Sequence, residues 1–321
     1  MARSARIREN DDSLAIRAAW LHYAGGLRQA EVAQRLGITG VKAHRLIMRA
    51  TEAGAVKVSI AGPVAECVEL EAALGEKFGL TYCEVVPDIG EDTALTRALA
   101  IAGAGFIQRA IEAREAQVIG VGHGRTLAGA IAEMPHVDAA HLSFVSLLGG
   151  LTRNFAANPH DVIHRLAEKT GAAAYVMPVP FVANSVEDRE VLLAQRGIAE
   201  VQTLAHQADL MLVGIGTTEA DTQLIAARMV EPGEMTDIKA RGGAGEILGH
   251  FFDAEGQVVE TPLSDRTLSL AVDRLKGRKV VAIAGGAEKT GAIRSVLMSG
   301  LLSGLITDER SAYALVKGTA P

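Results

Sequence analysis

Four glycine-rich stretches carry the residue types needed to hold an oxyanion: GVGHGRT (120–126), LLGGLTRN (147–154), VGIGTT (213–218) and AGGAEKTGAI (284–293). Each follows a short apolar run. Glycine lets backbone N–H groups approach an anion, and a helix that starts there points its positive end at it. Arg125, Thr126, Arg153 and Lys289 stand at the loop edges. One such loop is weak evidence, because glycine at strand–helix turns also serves purely steric needs. Four loops with cations, in a chain of net charge −6, point to a small phosphorylated ligand. The dinucleotide pattern is not met, since no acidic residue suitably follows GVGHGRT, and the GxxxxGK[ST] loop is absent. A further segment, GGAGEILGHFFDAEG (242–256), places Asp253 beside two Phe residues. Asp253 either accepts hydrogen bonds from ligand hydroxyls or initiates a tight turn.

A second constellation is cationic. Residues 1–60 hold ten Lys/Arg against five Asp/Glu, net +5, whereas residues 61–321 hold 22 against 33, net −11. Polyanions are attracted to the first part and repelled by the second. Within the basic part, LAIRAAWLHYA (14–24) spaces Leu14, Ala15, Ala18, Ala19 and Leu21 as one helical face, ended by Gly25-Gly26. Gln29 to Leu36 forms a short helix with Val32, Ala33 and Leu36 inward. Gly37 turns the chain, Ile38 plugs the core, and Thr39 caps a further helix over GVKAHRLIMRATEAG. Its expected inward face is Val41, Leu46 or Ile47, and Ala50. Gly40, Lys42, Ala43, His44, Arg45 and Arg49 are expected outward. Two helices joined by a short Gly-containing turn match the helix-turn-helix that reads the major groove. Lys42, His44 and Arg45 are candidates for base or phosphate contacts, with Arg28 and Arg35 clamping the backbone on either side; Gln29, Thr39 and Arg49 complete the expected DNA-binding set.

Other chemistries find little support. Cys67 and Cys83 give neither a disulfide framework nor a zinc pattern. Of the nine histidines only His160 and His164 have helical ligand spacing, and a solvated helix start explains them better than a metal. No Ser/His/Asp or Cys/His arrangement and no paired carboxylates are recognisable. No cofactor or metal is expected. The polar start MARSARIRENDDS has no apolar signal core, and no apolar run reaches the ~18 residues of a bilayer crossing. The expectation is a cytoplasmic protein without membrane contact.

The elements that must position these residues follow from periodicity. AVKVSIAGP (55–63) reads as a strand ending at a domain boundary, which divides the chain into 1–60 and 61–321. A helix is expected over 64–79. Strands are expected at 82–89, 117–124, 141–150, 173–182, 209–216 and 279–286, with a helix over 93–111 and helical segments between most of the others. This alternation predicts an α/β fold with a Rossmann-like, mostly parallel sheet covered on both faces. Ligands bind at the carboxyl ends of such strands.

Taken together, these segments resemble the SorC/DeoR type of sugar-binding transcriptional regulators over nearly the full length. The resemblance rests on LAIRAAWLHYAGGLRQAEVAQRLGI and KAHRLIMRATEAGAVKVSI at the front. It continues in VGHGRTL, LLGGLTRN, ADLMLVGIG, GAGEILGHFFDAEG, AIAGGAEKTGAIRSVL and LITDERSAYALV. Within the family the wording of KAHRLI is most similar to regulators of erythritol or related polyol catabolism. The resemblance implies an effector domain related to sugar-phosphate isomerase and deaminase folds but without their activity. It also implies a tetramer, built as a dimer of dimers, on palindromic operator DNA, with affinity set by a phosphorylated sugar or polyol. By motif, the phosphate would meet Gly124, Arg125, Thr126 and Lys289, with Gly122, Gly149, Gly150, Gly285 and Gly286 in the surrounding loops. Asp253 would face the sugar hydroxyls. The sequence departs from the family at His123, where a bulky aromatic is frequent, and at Thr39-Gly40 and Ala43-His44 of the recognition helix. The alternatives are a sugar-phosphate isomerase or deaminase with an added head, and an assembly module at residues 14–50.

Overall fold

The computed structural model describes residues 12–56, 65–88, 90, 92–150, 162–219 and 222–318. The strand expected over 55–63, with its boundary at Gly62-Pro63, lies largely outside them, as do Arg153 and His160. The chain divides into two compact units, Met1–Gly62 and Pro63–Pro321.

In the first unit, residues 12–19 are helical and run into a π-helical turn at Trp20–Ala24; together they form α1. Next come α2 (Gln29–Leu36) and α3 (Gly40–Glu52). Gly37 closes α2 with φ 64°, a left-handed conformation that only glycine adopts without strain. The Thr39 hydroxyl accepts from the Lys42 N–H at 3.3 Å and caps α3. Ala15, Ala18, Ala19 and Leu21 of α1 pack on Val32, Ala33, Ala43, Leu46, Ile47 and Ala50. This corrects the expected face of α3. Val41 is 82% exposed and Ala43 is fully buried. Ala43, Leu46, Ile47 and Ala50 form the i, i+3, i+4, i+7 stripe, and the small Ala43 allows α2 to cross closely.

The second unit opens with α4 (Ala65–Phe78), β1 (Tyr82–Val86), α5 (Asp92–Ala113), β2 (Val118–Val121), α6 (Arg125–Glu133) and β3 (Ser143–Ser146). It continues with α7 (Ile163–Thr170), β4 (Ala173–Tyr175), α8 (Val186–Leu193), α9 (Arg196–His206), β5 (Leu210–Val213), β6 (Gly216–Thr217), α10 (Gln223–Ala226) and α11 (Pro232–Ala240). It ends with β7 (Gly245–Ile247), β8 (His250–Phe252), β9 (Val280–Ile283), α12 (Thr290–Met298), β10 (Gly304–Asp308) and α13 (Glu309–Lys317). Seven strands form one sheet in the order β1-β10-β9-β5-β2-β3-β4, and every pairing in it is parallel. Alternate side chains of each strand enter opposite layers. Ile119, Leu212, Val281 and Ile306 join one core with α5 and α6. Met211, Val213, Val280 and Leu305 join the other with α11, α12 and α13. Two strands differ from expectation. β10 lies where the periodicity predicts no strand, and 173–182 yields only the short β4. A second sheet, β6-β7-β8, is antiparallel. It takes in most of the segment read as a glycine loop and apolar turn. No helix among the described residues is long and apolar enough to cross a membrane.

Candidate functional site

The carboxyl ends of β2, β5 and β9 meet at one cleft of about 180 Å³. After β2 the chain leaves into α6, whose Leu127 and Ile131 lie in one core layer. After β5 it leaves toward α10 and α11, whose Leu224, Met235 and Ile238 lie in the other. Neighbouring strands whose connections part to opposite faces open a crevice, and that crevice is the binding position of this architecture.

One wall is the start of α6. Gly124 occupies the N-cap with φ 136° and offers no side chain to the first helical N–H groups. Those donors and the helix dipole therefore face the cleft together with Arg125 and Thr126. Lys289 lines the same cleft, and its ammonium makes no hydrogen bond or ion pair among the described residues. Burial, with Arg125 nearby, pushes its pKa below the ordinary lysine value. Another wall is Glu246 of β7, 8% exposed. It accepts from the Gly249 N–H at 2.5 Å. Gly216 leaves room for its second oxygen, where any Cβ would collide with the carboxylate. Burial raises the Glu246 pKa to about 7, against the pull of the Gly249 N–H and Lys289. The cleft thus sets Arg125, Lys289 and the helix N–H groups beside two carboxylates, the buried Glu246 and the exposed Glu288. That suits a small ligand with a phosphate at one end and hydroxyls at the other.

Of the residues singled out in the sequence, Gly124, Arg125, Thr126 and Lys289 line this cleft. Gly122 lies beside it, but its N–H is committed to the Leu212 carbonyl at 2.8 Å. The Gly286 N–H is held by Asp308 at 2.8 Å, and a Cβ on Gly285 would strike the same carboxylate. Gly149 donates to the Leu268 carbonyl at 2.8 Å and Gly150 to the Met177 carbonyl at 3.3 Å. A Cβ on Gly149 would collide with the Pro180 carbonyl, so close backbone packing accounts for this glycine. Asp253 does not line the cleft. Its Oδ1 accepts from the N–H groups of Glu255 (3.0 Å) and Gln257 (2.8 Å), which is the turn-initiating reading. The residue the sequence missed is Glu246, two positions before the hairpin turn.

The titration of Glu246 has a stability consequence. Its folded pKa lies above the ordinary 4.5, so between these values the folded state binds the proton more tightly than the unfolded chain. Stability therefore falls as pH rises through this window. Between pH 6 and 8 the loss amounts to about 1 kcal/mol. Urea unfolding across that range is expected to show the slope in the parent protein and to lose it in Glu246→Gln.

In the first unit the outward face of α3 carries Gly40, Val41, His44, Arg45 and Met48, all exposed, with Lys42 half-buried. Arg45 and Lys42 have no ion-pair partner among the described residues, nor has Arg35 at the end of α2. Arg28, at the α2 N-cap, reaches Glu31 at 3.5 Å, and Gln29 opens the same helix, exposed. Arg49 is paired with Asp12 at 2.5 Å. Of the cations singled out in the sequence, Arg35, Lys42 and Arg45 are thus the ones without an ion pair among the described residues.

Residues 62–317 match the family described as "Putative sugar-binding domain". Over 95% of this chain and 97% of the relative, the sequence is 58% identical to the erythritol catabolism regulatory protein EryD of Brucella abortus. The chain belongs to the SorC/DeoR-type family of sugar-binding transcriptional regulators. It is 27% identical to the transcriptional regulator LsrR of Klebsiella pneumoniae subsp. pneumoniae, over 95% of this chain and 93% of the relative. The full-length sorbitol operon regulator SorC from Klebsiella pneumoniae superposes with a TM-score of 0.75 at 26% identity, over 95% of this chain and 98% of that one. As a member of this family the chain is a regulator, and the reading as an isomerase or deaminase with an added head has no support in these relatives.

Proposed function

We propose that residues 1–60 of this SorC-type regulator read operator DNA through α3, and that residues 61–321 bind a phosphorylated sugar or polyol and assemble the protein as a cytoplasmic tetramer. The observation that carries the ligand class is the pairing, in one cleft, of Lys289, Arg125 and the uncapped start of α6 with the buried acceptor Glu246. Cation and N–H donors favour the phosphate; the carboxylate selects hydroxyls. The name of the 58% identical relative favours a tetritol or its phosphate. The effector changes operator affinity only by as much as it discriminates between DNA-competent and DNA-incompetent states.

Fluorescence anisotropy on duplexes from upstream of its own gene tests this, with and without erythritol, erythritol phosphates and pentose phosphates. A steep fall of affinity with salt is expected, as phosphate contacts require. One phosphorylated ligand should shift the affinity, and the unphosphorylated polyol should do so less. Absence of sequence-selective binding under every condition would defeat the reading.

A further inference from the structure

We propose that Val41 reads sequence, its isopropyl group packing on the C5-methyl of a thymine in the major groove. The inference rests on α3 being a DNA-reading helix, as argued above. Val41 is the most exposed large hydrophobic side chain among the described residues, at 82%. Single exposed apolar residues are common, so its surroundings decide. The core of the unit is completed by Ala43, Leu46, Ile47 and Ala50 without it. A β-branched residue does not favour the first turn of a helix by propensity either. Neither packing nor local preference accounts for valine here.

The position does. Thr39 fixes the start of α3, so Val41 is the second helical residue. In a helix-turn-helix the N-terminal residues of the second helix meet the base edges. Val41 shares its face with His44, Arg45 and Met48, at i+3, i+4 and i+7. Arg45 and Lys42 bring positive charge to a polyanion. Gly40, just before it, has no neighbour within 4 Å of where a Cβ would stand, so the backbone can approach the groove floor. The thymine methyl is the apolar feature that the major groove offers at a base edge. A cationic face with one apolar residue at its leading end is complementary to a phosphate-lined groove with a methyl on its floor.

The test uses the full chain. A pool of random duplexes is selected on the protein, and the enriched duplex is remade with each thymine replaced singly by deoxyuridine, which removes only the methyl. Dissociation constants are measured by anisotropy for the parent, Val41→Ala and Val41→Thr. Loss of one symmetry-related methyl is expected to weaken the parent about three- to tenfold. Val41→Ala should be weakened to a similar degree on the thymine duplex and be indifferent to that demethylation. Val41→Thr, equal in shape, guards against a folding defect and should keep part of the response. If no demethylation separates the parent from Val41→Ala, the proposal fails while DNA reading stands. If no duplex is enriched at all, the DNA-reading assignment falls and this inference falls with it.

Discussion

Replacing Lys289 by Met is expected to lower effector affinity at least about 100-fold while leaving operator binding without effector unchanged. Lys289 is a desolvated cation whose charge no ion pair balances among the described residues; burial already works against its protonated form. A phosphate would supply the missing counter-charge. Charge-assisted hydrogen bonds of this kind contribute about 1.5–3 kcal/mol each, and truncating one partner of a buried charged pair costs more. Methionine keeps the length and apolar contacts of the lysine stem. The empty protein should lose little stability, because a half-buried charge that desolvation disfavours disappears with the side chain. Glu246 loses an attractive neighbour in this variant, so its neutral form becomes still more favoured. Isothermal titration with the phosphorylated ligand, beside a thermal unfolding scan, separates the two effects. Retention of effector affinity within about threefold would remove the cleft from the mechanism, since a factor of ten is only ~1.4 kcal/mol.

Which parts of this arrangement were legible in the residues depends on how local their cause is. Gly37 and Thr39 are read directly, because a left-handed turn and a helix cap are decisions of one or two residues. The face of α3 is less local. Val41 and Ala43 compete for the inner position, and valine is the more apolar. The spacing from Ala43 to Leu46, Ile47 and Ala50 decides for alanine, and the close crossing of α2 rewards its small size. The hairpin of β7 and β8 hides for a different reason. Its turn is Leu248-Gly249, with φ of 52° and 82°. Both residues are left-handed, as a primed turn requires, but leucine is an unusual occupant and gives no turn signal. The hairpin brings Glu246 into the cleft beside the Gly216 gap of β6 and Lys289, which come from two other stretches of chain, while Asp253 accepts from N–H groups of the turn that follows β8. The β10 strand GLITD ends in Thr307 and Asp308, polar residues that are buried nonetheless. Polarity at that end disguised a central strand, and the reason for the buried carboxylate lies in its partners.

Those partners make Asp308→Ala a strongly destabilising change. Asp308 is 1% exposed. Its carboxylate accepts from the Ser311 N–H at 3.0 Å, capping α13, and from the Ser311 hydroxyl at 2.6 Å. It also accepts from the Gly286 N–H at 2.8 Å. One side chain thereby joins the end of β10, the start of α13 and the loop that carries Lys289. At the far end of α13 the Lys77 ammonium donates to the carbonyls of Leu315 (2.9 Å) and Val316 (3.0 Å), tying α4 to the same helix. Alanine would orphan buried donors at about 1–3 kcal/mol each and delete a helix cap worth ~1 kcal/mol. A total near ~4 kcal/mol is expected, a large fraction of the ~5–15 kcal/mol that holds a folded domain. Urea unfolding should show a lowered midpoint with an unchanged slope. Asparagine at 308 keeps one acceptor oxygen, so it should recover part of the loss. Effector affinity should fall in both variants although Asp308 does not line the cleft, because the loop bearing Lys289 loses the shorter of its two anchors at Gly286, the other being the Ser311 hydroxyl at 3.1 Å. If Asp308→Ala unfolded within ~1 kcal/mol of the parent, water would have to satisfy the freed donors, and the rigidity ascribed to the Lys289 loop would have no source in this carboxylate.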